Sequence, residues 1–474
     1  MLFNSLEFAL FLPVVWLLYW YGVGGSVRAQ NLLIVAASYV FYGWWDWRFL
    51  SLIFISSLAD WIIGRRLAVA EAPRARRLLL GASLAVNLGF LGFFKYFNFF
   101  AESFAELVEA FGLRADPVTL QVVLPVGISF YTFQTLSYTI DIYRRQIEPT
   151  RDAVAFFAFV SFFPQLVAGP IELASQLLPQ FLAPRVFDEA LARDGLRLML
   201  WGLFKKVVVA DTCARLVDQA FADPGAMRAS ELWVGAFLFA VQIYGDFSGY
   251  SDIARGVARL FGFELMVNFA MPYFARDIGE FWRRWHISLS TWFRDYGYIP
   301  LGGSRVDRWR QARNVRATCV GSGLWHGAAW TFVIWGFLHG LYYLVQWAFV
   351  GRPPRGAVVA AGRLLPTPGE AVRVAATFLA VLVAWVFFRA QSLADATEYL
   401  RLMLAGEGGL PRQGITVLAL AVGFLGVEWL QRERRHVLDL PALGRPLRWS
   451  VYAGLCVWIL SFFGAERTFI YFQF

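Results

Sequence analysis

The chain has 474 residues, of which 58% are hydrophobic, 18% aromatic and only 16% charged, and its mean hydropathy is +0.52. A soluble domain carries roughly 25% charged residues, so these figures exclude a soluble enzyme and point to an all-α, polytopic integral membrane protein. The net charge of +9 reads as arginine concentrated in loops between membrane segments rather than as a nucleic-acid surface.

Apolar runs long enough for about 30 Å of hydrocarbon recur along the whole sequence. They fall near 6–22, 30–44, 49–63, 78–100, 121–141, 153–170, 195–212, 231–249, 317–350, 371–388, 413–430 and 449–464. Some read as re-entrant, so about ten to twelve membrane segments are expected. The first run lacks a basic flank and a small-residue cleavage site, and is read as a retained helix. Residues 64–77 carry Arg65, Arg66, Arg74, Arg76 and Arg77 against Glu71, which places that loop in the cytoplasm and the N-terminus outside. Segments 276–316, with nine arginines against four acids, and 432–448 are assigned to the same side. No repeat or low-complexity tract divides the chain, and residues 1–474 are expected to form one membrane domain. Cys213, Cys319 and Cys456 are scattered, with no metal-ligand spacing.

The orientation has a consequence for 317–350. This stretch leaves the cytoplasm and returns to it if Arg352 and Arg355 are also inside. It is too short for two full helices but long enough for a half-span and a span. A half-helix from 317 carries His326 to a depth of about 15 Å. Gly321, Gly323 and Gly327 are expected to supply the irregular backbone tolerated there.

The chain has only four histidines. A buried imidazole in membrane surroundings needs a partner or a task. His326 suits a general base that takes the proton of an acceptor hydroxyl as it attacks an acyl ester or thioester, because burial favours the neutral ring. A core histidine bonded to a carbonyl is the competing reading. His286, near Trp282, Arg283 and Ser290 in helical geometry, is read either as a second functional ring or as part of an interfacial belt. His339 is read as structural and His436 as a loop residue. The run from Trp282 through Arg283, Arg284, Arg294 and Asp295 to Tyr298 either receives an anionic donor group or anchors the protein at headgroups. Gln134, Gln165 and Asp246 interrupt apolar runs, and each either glues helices together or lines a substrate path with Trp325. Cys319 and Ser322 are weak candidates for a nucleophile; Cys319 lies about 10 Å from His326 along a helix. There is no G-x-S-x-G, P-loop, H-E-x-x-H or H-x-x-x-x-D motif.

The stretches FWRRWHISLSTWFRDYGYIPLGG and GLWHGAAWTFVIWGFLHG strongly resemble the membrane-bound O-acyltransferase family, closest to its bacterial branch that acetylates alginate and related exopolysaccharides. LPVGISFYTFQTLSYTIDIYR, FFPQLVAGPI, YGDFSGYSDIARG and the terminal FIYFQF extend the resemblance over nearly the whole chain. Ser322 in GSGLWHG departs from the expected glycine-rich or apolar residue. The resemblance implies a many-helix fold around a central tunnel. It makes His326 the counterpart of the catalytic histidine and His286 that of a second functional one. It also implies a multi-pass protein of the bacterial inner membrane with no bound cofactor or metal. Acetyl-CoA or an acyl carrier protein thioester would be the cytoplasmic donor. The acyl group would pass to an exopolysaccharide acceptor, directly or through a periplasmic SGNH-type acetyltransferase.

Three alternatives stay open, the first implied by the resemblance and the other two left by the residues. The acceptor is peptidoglycan or, with D-alanine as the acyl group, teichoic acid. The protein transports a polysaccharide precursor. It is a scaffold for export without chemistry of its own.

Overall fold

The computed structural model describes residues 1–113, 119–120, 123–351, 358–411, 414–464 and 469–470. Arg352, Arg355 and the last four residues of the FIYFQF motif lie outside the described residues. Among the described residues the regular structure is entirely helical. In chain order the helices are α1 Leu6–Leu17, α2 Val27–Asp46, α3 Leu50–Val69, α4 Pro73–Leu91, α5 Phe97–Ala110, α6 Ile128–Tyr143, α7 Ala153–Ser161, α8 Phe163–Leu166, α9 Ala174–Leu182 and α10 Glu189–Leu203. They continue as α11 Asp211–Ala222, α12 Ala229–Leu260, α13 Ile278–Arg284, α14 Ile287–Trp292, α15 Arg308–His326, α16 Trp330–Phe349, α17 Pro368–Arg389, α18 Leu393–Ala405, α19 Ile415–Leu430 and α20 Arg445–Phe462.

Among the described residues each apolar run read from the sequence overlaps a helix or a helix pair, with instructive differences: the run at 121–141 becomes helical only from Ile128. The run at 153–170 breaks at Phe162, because Pro164 lacks the N–H that would continue α7 and instead starts α8. The run at 231–249 is the N-terminal part of a 32-residue helix, α12. Among the described residues three helical stretches, Pro73–Ala110, Trp330–Phe349 and Pro368–Arg389, are long and apolar enough to cross a membrane by length and composition. Leu6–Gly22 and Ile415–Gln431 are apolar but shorter.

The chain groups into two compact units, Met1–Gly195 with Val257–Met266, and Leu196–Gly256 with Val267–Phe474. In the first, buried polar groups join the helices. The Asp60 carboxylate on α3 accepts from the Ser83 hydroxyl at 2.5 Å and the Asn87 amide at 2.7 Å, both on α4. Thr135 on α6 donates to Asn87 Oδ1 at 3.0 Å. Arg76, read from the sequence as a loop charge, is buried and donates to the carbonyls of Leu67, Ala70, Ile142 and Tyr143. It clamps the ends of α3 and α6 while keeping its charge solvated by carbonyl dipoles. Gly127 starts α6 at φ +77, and a Cβ there would lie 2.6 Å from the Leu166 carbonyl oxygen, so only glycine fits.

In the second unit, α15 and α16 pack closely along small residues. A Cβ on Gly323 would lie 2.2 Å from the Phe332 carbonyl oxygen, and one on Gly336 would lie 2.4 Å from that of Cys319. This corrects two expectations. The helix carrying His326 begins at Arg308 rather than 317, because Asp307 caps it by accepting from the Arg310 N–H at 2.9 Å. Gly321 and Gly323 do not make irregular backbone; both are helical, and the break begins at Gly327, in extended conformation at φ −159.

Candidate active site

The second unit brings His286 and His326 together. His326 ends α15, and its ring centroid lies 6.2 Å from that of His286. Both rings are buried, with 0% and 3% exposure for His286 and His326. The wall around His326 is aromatic: Trp325 and Trp335 lie at 5.0 Å and Phe388 at 5.4 Å. Trp325 also packs on His286 at 5.7 Å.

His286 is not inside a helix as its spacing suggested. It occupies the left-handed region at φ 42 between α13 and α14, where its carbonyl accepts from the Ser290 N–H at 3.0 Å. This reversal turns the ring away from a helical i−4 register with Trp282 and toward Phe247, at 4.7 Å. The conformation is held by a short extended pairing. The Ala270 N–H donates to the Arg284 carbonyl and the Ile287 N–H to the Asn268 carbonyl, both at 2.9 Å.

That pairing delivers Asn268, a residue the sequence reading did not single out. Its Oδ1 lies 3.2 Å from His286 Nδ1 and accepts from the Ser288 hydroxyl at 2.9 Å, while its Nδ2 donates to Ser251 Oγ at 3.2 Å. With Oδ1 fixed as an acceptor, the neutral His286 ring carries its proton on Nδ1, and Nε2 is its basic nitrogen. The sequence signal was faint: one asparagine beside an apolar run, eighteen positions from its partner.

A cavity of about 500 Å³ opens in the same unit. Four of the residues expected at a donor path line it: Trp282, Arg283, Arg294 and Tyr298. Thr318, Ser322 and Cys319 on α15 and His339 on α16 also line it. Ser322 is one helical turn before His326. Trp335 separates the cavity edge from the histidine pair, with its ring 4.9 Å from His339 and 5.0 Å from His326. Arg294 is paired with Asp295 at 2.7 Å, and its side chain stays 58% exposed.

Other candidates are placed elsewhere. Arg284 is held by Glu280 at 2.8 Å and by the Ala270 carbonyl. Burial alone would raise the Glu280 carboxyl, but its bonds with Arg276 and the charge of Arg284 hold it below the usual carboxylate range. Gln134 and Gln165 belong to the first unit, where both amides donate to the Phe159 carbonyl at 2.8 and 3.0 Å. They satisfy an acceptor exposed by the break after α7, which is the helix-joining reading. Asp246 pairs with Lys206 at 2.8 Å and accepts from the Ile470 N–H at 2.6 Å.

Residues 148–352 match the model of the membrane-bound O-acyltransferase family. The probable alginate O-acetylase of Pseudomonas aeruginosa is 42% identical over 395 residues, covering 83% of this chain and 73% of that protein. The chain belongs to this family. It is therefore a membrane O-acyltransferase, and both histidines and the cavity lie within the matched residues. The probable alginate O-acetylase of Azotobacter vinelandii is 42% identical over 397 residues, covering 83% of this chain and 76% of its own. The peptidoglycan O-acetyltransferase of Helicobacter pylori is 35% identical over 437 residues, covering 86% and 80%.

Proposed function

We propose that this acyltransferase moves an acetyl group from a cytoplasmic thioester toward O-acetylation of alginate. The observation that carries the chemistry is the buried pair of His286 and His326, 6.2 Å apart, with His326 one helical turn from Ser322 in the wall of a cavity also lined by Arg283 and Arg294. Likeness to the alginate O-acetylases supports the polymer.

In this reading the thioester donor lies in the cavity, with its anionic portion toward Arg283 and Arg294 and its acyl carbon directed past Trp335. His326 removes the proton of the acceptor hydroxyl. The oxygen attacks the acyl carbon, the C–S bond breaks, and the leaving thiolate takes up a proton. His286, held by Asn268 and Ser288 with Nε2 left as an acceptor, steadies the acceptor hydroxyl. Acetyl-CoA and an acetylated carrier protein both fit this chemistry, and no resident cofactor or metal is required. The protein is a multi-pass component of the bacterial inner membrane, with about ten to twelve segments, some re-entrant, around a central passage. The polymer receives the group directly or through a periplasmic SGNH-type partner.

Peptidoglycan is the second reading, favoured by the Helicobacter pylori relative. Acetyl ester measured on both alginate and muropeptides, in a deletion strain and after complementation, separates the two. Restoration on alginate alone supports the proposal. Restoration on muropeptides alone overturns the polymer while leaving the acyltransferase reading intact.

A further inference from the structure

His339 has no role in this mechanism, and its surroundings are unusual for a structural residue. The ring is fully buried. It stacks on Phe281 at 5.9 Å and meets Trp282, Trp335 and Tyr342 at 5.0, 4.9 and 6.0 Å. That is an aromatic box, and a phenylalanine would fill it without carrying polar atoms into it. Among the described residues neither His339 nitrogen has a hydrogen-bond partner. Buried polar groups are nearly always satisfied, so a histidine here needs a bond from outside the chain. The same ring lines the 500 Å³ cavity.

The cavity wall combines exposed cationic groups with a fully buried ring. Arg283 and Arg294 are exposed, with the Arg294 side chain 58% open to solvent. His339 is the fully buried group of the wall. A ligand matching this lining has a charged, solvated part and a neutral part with a few hydrogen-bonding groups. A phosphorylated pantetheine arm, with its amides and its thioester carbonyl, has that character.

We propose that His339 is a positioning residue for the acyl donor, hydrogen-bonding an amide or the thioester carbonyl of the pantetheine arm inside the cavity. This rests on the reading of the cavity as the donor site. The bond draws the buried end of the donor against the Trp335 wall, on whose other side His326 stands. Coenzyme A and a carrier protein present the same arm, so the role is common to both donors.

The test uses the full-length protein in membranes, with thiol release measured from acetyl-CoA, an acetyl-loaded carrier protein and acetyl-pantetheine. His339→Phe keeps the aromatic packing and removes the bond. The apparent KM should rise about fivefold, the worth of one neutral hydrogen bond, for whichever of these donors wild type uses, with kcat little changed. His339→Gln should recover part of the loss. Thr318→Trp, which fills the cavity, serves as the control and should also raise KM. If Thr318→Trp raises KM and His339→Phe does not, the role of His339 is overturned while the donor site stands. If neither changes KM, the cavity is not the donor site and both readings fall. A loss of kcat alone at His339→Phe assigns the residue to packing and also overturns the proposal. Should His339→Phe not accumulate, His339→Leu is read by the same split between KM and kcat.

Discussion

At the scale of residues, the site depends on a backbone reversal that no periodicity reveals. The two histidines were legible because the chain has only four and a ring in apolar sequence needs a reason. Their proximity was not, because it requires His286 at φ 42. Asn268 was missed for the same cause: it reaches His286 only through the extended pairing of 268–270 with 284–287. If Asn268 sets the tautomer of His286, Asn268→Ala should lower turnover by about fivefold, near 1 kcal/mol for one neutral hydrogen bond, at unchanged protein level. Unchanged turnover would remove Asn268 from the mechanism. The neighbouring clamp carries a pH dependence of known sign. Glu280 is held ionised below the usual range, so its contribution is present above the unfolded-state pKa and is lost as pH falls through the folded one. Thermal melts should show wild type losing its stability margin over Glu280→Gln on acidification, and a margin that grows instead would refute the clamp.

At the scale of elements, glycine position decides what helices can do. The sequence reading gave Gly321 and Gly323 the same purpose, but they face different neighbours. A Cβ on Gly323 would meet backbone at 2.2 Å, whereas one on Gly321 would meet the Phe293 ring at an ordinary 3.6 Å. Gly323→Ala should therefore push α15 from α16 and reduce both folded protein and activity. Gly321→Ala should be tolerated, and is expected to stabilise by up to about 1 kcal/mol from helix propensity. Detergent-solubilised yield and melting temperature for the pair would check this, and equal effects would contradict the packing account. The cap of α17 offers a milder case. Thr367 and Glu370 form a reciprocal capping box, so Thr367→Ala should cost about 1 kcal/mol, seen as a small fall in melting temperature without a change in KM.

At the scale of the molecule, polar groups are buried and many large apolar side chains face outward. Asp60, Asn87, Gln134 and Lys205 are nearly inaccessible, while Leu6, Leu10 and Phe104 are well exposed. That arrangement suits a protein solvated by lipid, where backbone and polar side chains must find partners inside. Helix positions were legible because hydrophobic run length and hydrogen-bonding need act locally. Breaks were less so, since α7 ends where Pro164, the neighbouring Gln165 and the more distant Gln134 make ending cheap. The amphipathic helices α9 and α18 escaped the reading because their apolar faces are too narrow to register as membrane runs.

The central claim is that His326 drives acyl transfer. It is tested most directly by polymer-bound acetyl ester in a strain lacking its own copy, complemented with wild type or His326→Ala at matched membrane levels. Loss of a general base predicts a fall of at least about a hundredfold, with polymer still exported. Normal acetylation by His326→Ala would contradict the account.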